Sequence, residues 1–241
     1  MTITDQYPAL IPEITVDPVS ALPFDAYRDV HKGIRAELFA LVGSAGNVDP
    51  ADRSGRAAVV AHVADVVELL GVHAHHEDLH ILPVLEAHDE AVFARLEADH
   101  AALDARLARI AERAQFVTDA ARGEQRARLH NLYLDLASFS GAYLTHQEFE
   151  ERVAMPALLA AVGVEGAIVI DETIVANIPP AMTAKALAIM LPAMNVDDRT
   201  ELLGAMQQSA PPEAFAAVWG LTRSVLTPAD FRALAARLGR A

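Results

Sequence analysis

HAHHEDLHILP at residues 73–83 and HQEFEERVAMP at residues 146–156 share one design. Each opens with a histidine (His73, His146), places a glutamate four residues later (Glu77, Glu150) and a proline six residues after that (Pro83, Pro156). Side chains four apart stand one above the other on a helix, with Cβ atoms roughly 5–6 Å apart. An imidazole nitrogen and a carboxylate so placed reach the same interior point. One such pair arises by chance on any solvated helix, but two with the same proline offset are much harder to obtain by accident. The repeat predicts two helices that face each other across a metal site of approximate two-fold symmetry.

The sequence around these stretches reads as helix. From Asp25, the residues Tyr27, Val30, His31, Ile34, Leu38 and Leu41 recur at spacings of three and four, until Gly43, Gly46, Asn47 and Pro50 interrupt them. A second helix is expected from Ala51 to His88, striped by Val59, Val63, Val66, Val67 and Leu70. A third is expected from Glu90 to Ala121, with Phe93, Leu96, His100, Leu103, Leu107 and Ile110 on one face. The fourth runs from Glu124 to Met155, carries Leu129, Leu132, Leu136, Phe139, Tyr143, His146 and Glu150, and is expected to end at Pro156 and Gly163. Only 167–170 and 173–175 invite reading as strands.

The expected fold class is therefore all-α, an up-down-up-down antiparallel four-helix bundle over residues 22–160. An extended arm, residues 1–21, precedes it, with Pro8, Pro12 and Pro18 along it. Residues 161–241 form a C-terminal extension of four short helices (181–190, 197–208, 212–224 and 228–238), with Asp197 and Thr227 as N-caps. The extension contains no histidine and is expected to serve as a lid, an interaction surface or a homo-oligomer interface.

Composition excludes several classes. The 33 acidic against 19 basic residues, net charge −14, would repel phosphate backbones and anionic membranes, so no nucleic-acid partner is expected. With no cysteine, disulfides, thiolate nucleophiles and cysteine metal sites are absent, and any metal must be held by nitrogen and oxygen. The start of the chain does not read as a signal peptide. The most apolar run, 153–170, is broken by Pro156, Gly163, Glu165 and Gly166, so no membrane association and a cytoplasmic location are expected. No glycine-rich phosphate loop, dinucleotide fingerprint or nucleophile elbow is present.

The first and third helices each add one histidine on the apolar stripe, His31 and His100. Di-metal carboxylate bundles use a paired motif on two helices and a single ligand on each of the others. Four histidines and two carboxylates for two ions leave room for exogenous ligands and suit iron, manganese or zinc. A lone core histidine such as His31 is ordinarily hydrogen-bonded packing, so it is the set that argues for metal. His76 and His80 share a broad face with His73 and Glu77. They read as hydrogen-bonding or half-exposed neighbours, or else as the ligands of a shifted register. His62 can point inward, whereas His75, His88 and His130 read as surface positions. Tyr27 and Tyr143, each about one turn before a ligand histidine, read as core packing or as phenols near the metals. Arg35, one turn after His31, reads as the partner of a buried carboxylate or of a surface acid.

Over residues 22–160 the sequence resembles the hemerythrin-like family, the bacterial HHE cation-binding domains. The resemblance rests on YRDVHKGIRAEL, HAHHEDLHILPVL, LEADHAALDARL and THQEFEERVAMPAL. It implies a non-haem di-iron centre with His31, His73, Glu77, His100, His146 and Glu150 as ligands. Activities in the family include reversible dioxygen binding, oxygen or nitric-oxide sensing, and turnover of peroxide or nitric oxide. The sequence departs from the oxygen carriers: their His-x-x-x-His pair on the third helix would read His100 and Asp104 here. Their aspartate five residues after the fourth-helix histidine is replaced by Glu150 at four. The expected function is a dinuclear metal protein acting on dioxygen, peroxide or nitric oxide. The alternatives are a non-enzymatic sensor and a zinc-loaded, non-redox protein.

Overall fold

The computed structural model describes residues 22–240, so the expected arm over residues 1–21 lies outside it. All regular structure among the described residues is helical. The bundle consists of α1 (Arg28–Asn47), α2 (Arg53–His80) with its short continuation α3 (Leu82–His88), α4 (Glu90–Ala114) and α5 (Gln125–Phe149). Asp52 caps α2 by accepting from the Ser54 amide at 2.9 Å, and Asp89 caps α4 by accepting from the Val92 amide at 3.1 Å. These bonds satisfy donors that a helix start leaves free. Each of α1 and α4 packs against both α2 and α5, which closes a ring of four antiparallel helices.

Two apolar clusters fill the bundle and leave a polar layer between them. One is built on Ile34, Leu38, Val63, Leu107, Leu132 and Phe139, all buried. The other, on Tyr27, Leu85, Leu96, Met155 and Leu158, closes the opposite end. His31, His73, His100 and His146 fall between the two sets in sequence on each helix. Arg56 fixes the far end: it is buried and donates from Nε to the Val117 carbonyl (2.9 Å) and from Nη2 to that of Thr118 (2.8 Å).

Several helix boundaries differ from the sequence reading. Gly43 and Gly46 lie inside α1, and a Cβ on Gly46 would come within 3.2 Å of the Tyr133 ring, so this glycine permits a close helix contact rather than a stop. Pro83 sits in the first turn of α3, where a missing N–H costs little. The helix α4 stops at Ala114, short of the expected Ala121. The fourth helix does not end at Pro156. After α5 the ladder slips into one π turn, Glu150–Ala154, and continues as α6 (Met155–Asn177), with Pro156 in its first turn. Gly163, at φ 71°, kinks α6, and the two strand-like stretches are helical within it. By length and apolar content, α2 and the continuous Gln125–Asn177 helix could each cross a membrane.

The extension continues as α7 (Pro180–Ala193), α8 (Val196–Ser209), α9 (Pro212–Val225) and α10 (Pro228–Arg237), around its own core of Leu187, Leu191, Leu203, Phe215 and Leu234. Thr227 caps α10, but α8 is capped by Asn195 rather than Asp197, in a reciprocal box with Asp198. The helix α7 lies against α1, where Gly33 admits Ile189 and Met190: a Cβ there would be 3.2 Å from both. Ion pairs join the same two bodies. Lys32 pairs with Asp198, and Arg28 reaches Glu201 at 3.1 Å and Asp198 at 3.7 Å.

Candidate metal centre

The six expected residues converge in the polar layer. His31, His73, Glu77 and Glu150 form one group whose potential ligand atoms all lie within 4.8 Å of one another; Glu77, His100, His146 and Glu150 form a second. Both carboxylates belong to both groups. Glu77 Oε1 is 3.4 Å from His73 Nε2, and its Oε2 is 3.5 Å from His100 Nε2. Glu150 Oε2 is 3.4 Å from His31 Nε2, while its Oε1 is 2.9 Å from His146 Nε2 and 3.7 Å from His100 Nε2. The Nε2 atoms of His31 and His73 are 3.3 Å apart. With metal–ligand bonds of about 2.1 Å, neighbouring donors on one ion stand roughly 3.0–3.4 Å apart, close to most of these spacings.

Unpartnered atoms provide a second test of fit. Both Glu77 oxygens, Glu150 Oε2 and His100 Nε2 are sealed from solvent with no hydrogen-bond partner among the described residues. Buried polar atoms ordinarily find a partner, and a cation between them would supply one. The residues therefore have the donor chemistry to hold metal.

Without metal, the two carboxylates are electrostatically unequal. Burial, reinforced by the charge of Glu150, pushes Glu77 well above the usual carboxylate range. Burial would raise Glu150 too, but the neighbouring imidazoles of His100 and His146 hold it well below that range. Burial works against charging His100, yet the nearby carboxylates of Glu150 and Glu77 raise it to about 11. Burial and then repulsion from His31 lower His73 to about 3, which keeps it a neutral donor.

Two of the outward ring nitrogens, those of His31 and His100, have their own partners. His31 Nδ1 meets Glu151 Oε1 at 3.0 Å, and Arg35 clamps the same carboxylate from Nη1 (2.7 Å) and Nη2 (3.0 Å). His100 Nδ1 meets Asp78 Oδ1 at 2.7 Å. His146 Nδ1 lies 3.8 Å from Asp99, too far for a hydrogen bond. A carboxylate on the far nitrogen fixes the tautomer and aims the near nitrogen inward. Glu151, Asp78 and Asp99 were not singled out from the sequence. Each of the first two directly follows a candidate ligand glutamate, and that doublet was the signal that could have found them.

The remaining candidates separate clearly. Tyr27 stacks on His31, ring centroids 4.9 Å apart, and Tyr143 meets His146 edge-on at 5.7 Å. Burial and the nearby glutamates raise both phenols well above 10, so both stay protonated. His76 and His80 lie outside both groups of metal-capable residues. His62 bonds to Glu37 at 2.9 Å between α1 and α2, away from the centre. His75, His88 and His130 are exposed.

A helical ring enclosing paired histidine–carboxylate groups defines a cation-binding bundle. The family model described as hemerythrin HHE cation binding domain matches residues 22–158, and the chain belongs to that family. No curated protein and no solved structure matches the chain significantly.

Proposed function

We propose that this chain holds two iron ions between His31, His73, Glu77, His100, His146 and Glu150, and binds or turns over a small ligand such as dioxygen, peroxide or nitric oxide. The observation that carries the reading is the shared pair of glutamates, each turning one oxygen toward each half of the centre. Iron, when bound, supplies redox chemistry and open coordination positions, and six protein donors on two ions leave such positions.

The residues around the centre support a ligand of very few atoms. A narrow cavity of about 10 Å³ beside His100 and His146 is lined by Asp104, Leu103, Leu107, Phe139 and Tyr143, among others. One water-sized molecule needs roughly 10–15 Å³ on this measure. Leucine and phenylalanine side chains make up much of the lining, and Tyr143, kept protonated, is part of it. Asp78 and Glu151 orient His100 and His31.

Elemental analysis of protein purified without added metal, with an optical spectrum of the same sample, tests the proposal. Two irons per chain, an oxo-to-iron absorption band and a spectral response to oxygen, peroxide or nitric oxide are expected. Two zinc ions and a featureless spectrum would replace the redox reading with the zinc one. Absence of metal would end both.

The contact between α1 and α7 favours a second, sensing reading. His31 and Gly33 share α1, and Gly33 packs on Ile189 and Met190 of the extension. Occupancy of the centre would then alter how the C-terminal helices dock. Protease sensitivity of residues 178–240 should differ with and without metal; identical digestion would count against coupling.

A further inference from the structure

Helix α2 carries a second set of imidazoles outside the centre. His76 and His80 stand one turn apart with nearly parallel rings, centroids 6.1 Å apart at an interplanar angle of 15°. The exposed ring of His75 adjoins that of His76 at 5.7 Å. His76 Nδ1 and His80 Nε2 are sealed from solvent, and neither has a hydrogen-bond partner among the described residues. Two unpaired lone-pair donors one helical turn apart are unusual, because buried polar atoms are ordinarily satisfied.

We propose that His76 and His80 form a separate outer site for a divalent transition-metal ion, with His75 at its solvent edge. Residues four apart on a helix can offer two imidazoles to one ion after small side-chain rotations. Neutral imidazole is the commonest protein metal ligand. The pair offers nitrogen alone, without the two carboxylates of the centre. It therefore favours copper, nickel or zinc, whereas the mixed set of the centre also accommodates iron and manganese. The net charge of −14 draws cations toward the protein. An ion held here shares α2 with His73 and Glu77 and lies within about one turn of them.

Nickel is a suitable probe. The full chain, stripped with a chelator, is dialysed against nickel and its bound metal counted, alongside H76A/H80A and E77A/E150A. H76A/H80A should bind one ion fewer than the parent, while E77A/E150A, which disrupts the centre, should keep the outer ion. With copper, the paramagnetic resonance spectrum of E77A/E150A should show hyperfine coupling to imidazole nitrogens, lost when His76 and His80 are also replaced. If H76A/H80A binds as many nickel ions as the parent, the proposal is overturned. Should circular dichroism show that the alanine pair disturbs α2, H76Q/H80Q gives the same count with side chains of similar bulk. The outer ion is counted in E77A/E150A whatever the centre itself holds, so the two readings fail separately.

Discussion

Each paired motif contains a third residue besides its histidine and glutamate. Glu77 is followed by Asp78, which holds His100, and Glu150 by Glu151, which holds His31. The unit is therefore His-x-x-x-Glu-acid. Its glutamate points into the centre, and the acid after it orients a histidine from another helix. This gives unequal consequences to single substitutions. Glu150→Ala removes an oxygen from each half and should abolish binding of both ions, whereas His73→Ala should leave one ion held by the other half; metal counting separates them. Glu151→Ala removes no candidate ligand but frees the outer nitrogen of His31 and leaves Arg35 without its partner. A 10–100-fold loss of metal affinity, the usual cost of losing such a support, is expected in a competition titration against a chelator, with Glu151→Gln restoring part of it. The inward set was legible because histidine and glutamate at helical spacing on an apolar stripe are costly to bury unless a cation sits between them. The supporting acids were not, because an acidic residue one step off the stripe reads as solvent-facing until the partner helix is known.

Helices set how far these residues reach. The π turn at Glu150–Ala154 widens the helix just where two successive glutamates are needed: Glu150 enters the centre and Glu151 still reaches His31. Such single turns are common at functional sites, yet no residue pattern announces one, so the sequence suggested a helix ending at Pro156 where the chain continues. The four bundle helices were legible from their apolar period. The seating of α7 on α1 was not, because it depends on an absent side chain, Gly33. Gly33→Val should push Ile189 and Met190 away from α1 while leaving the bundle folded. Faster proteolysis of the extension with unchanged bundle helicity is the expected result. Acid should loosen the same contact. Burial alone would raise Asp198, but Lys32 and the Asn195 amide hold it below its ordinary value. A lowered folded pKa means that its stabilisation is fully present above the unfolded value, about 3.9, and is lost as pH falls through the lower, folded one. Protection of the α7 and α8 amides, as exchange relative to the intrinsic rate, should therefore fall below about pH 4, and Lys32→Ala should flatten that dependence.

For the molecule as a whole, the proposed metal would be part of the stability of the fold. The polar layer between the two apolar clusters contains carboxylate and imidazole atoms with no partner of their own. Each such atom costs about 1–3 kcal/mol when left unsatisfied. An ion that binds only the folded state stabilises it by about 4 kcal/mol at a thousand times its dissociation constant. For a chain of this size, 1 kcal/mol corresponds to roughly 2–4 °C in Tm. Chelation should therefore lower the thermal midpoint by on the order of 10 °C, and readdition should restore it. The single tryptophan, Trp219, makes this resolvable by region. It lies in the extension, 6.2 Å from the Phe215 ring and 4.8 Å from that of Phe231, so its fluorescence follows the C-terminal core, while far-ultraviolet circular dichroism follows all the helices. If the extension only rests on the bundle through α7, the tryptophan transition stays in place while the helical one moves. If occupancy is transmitted through α1, both move together, as the sensing reading requires. A midpoint that ignores chelation on both signals would mean that the polar layer does not bind metal strongly enough to matter to the fold, and the dinuclear reading would fall with it.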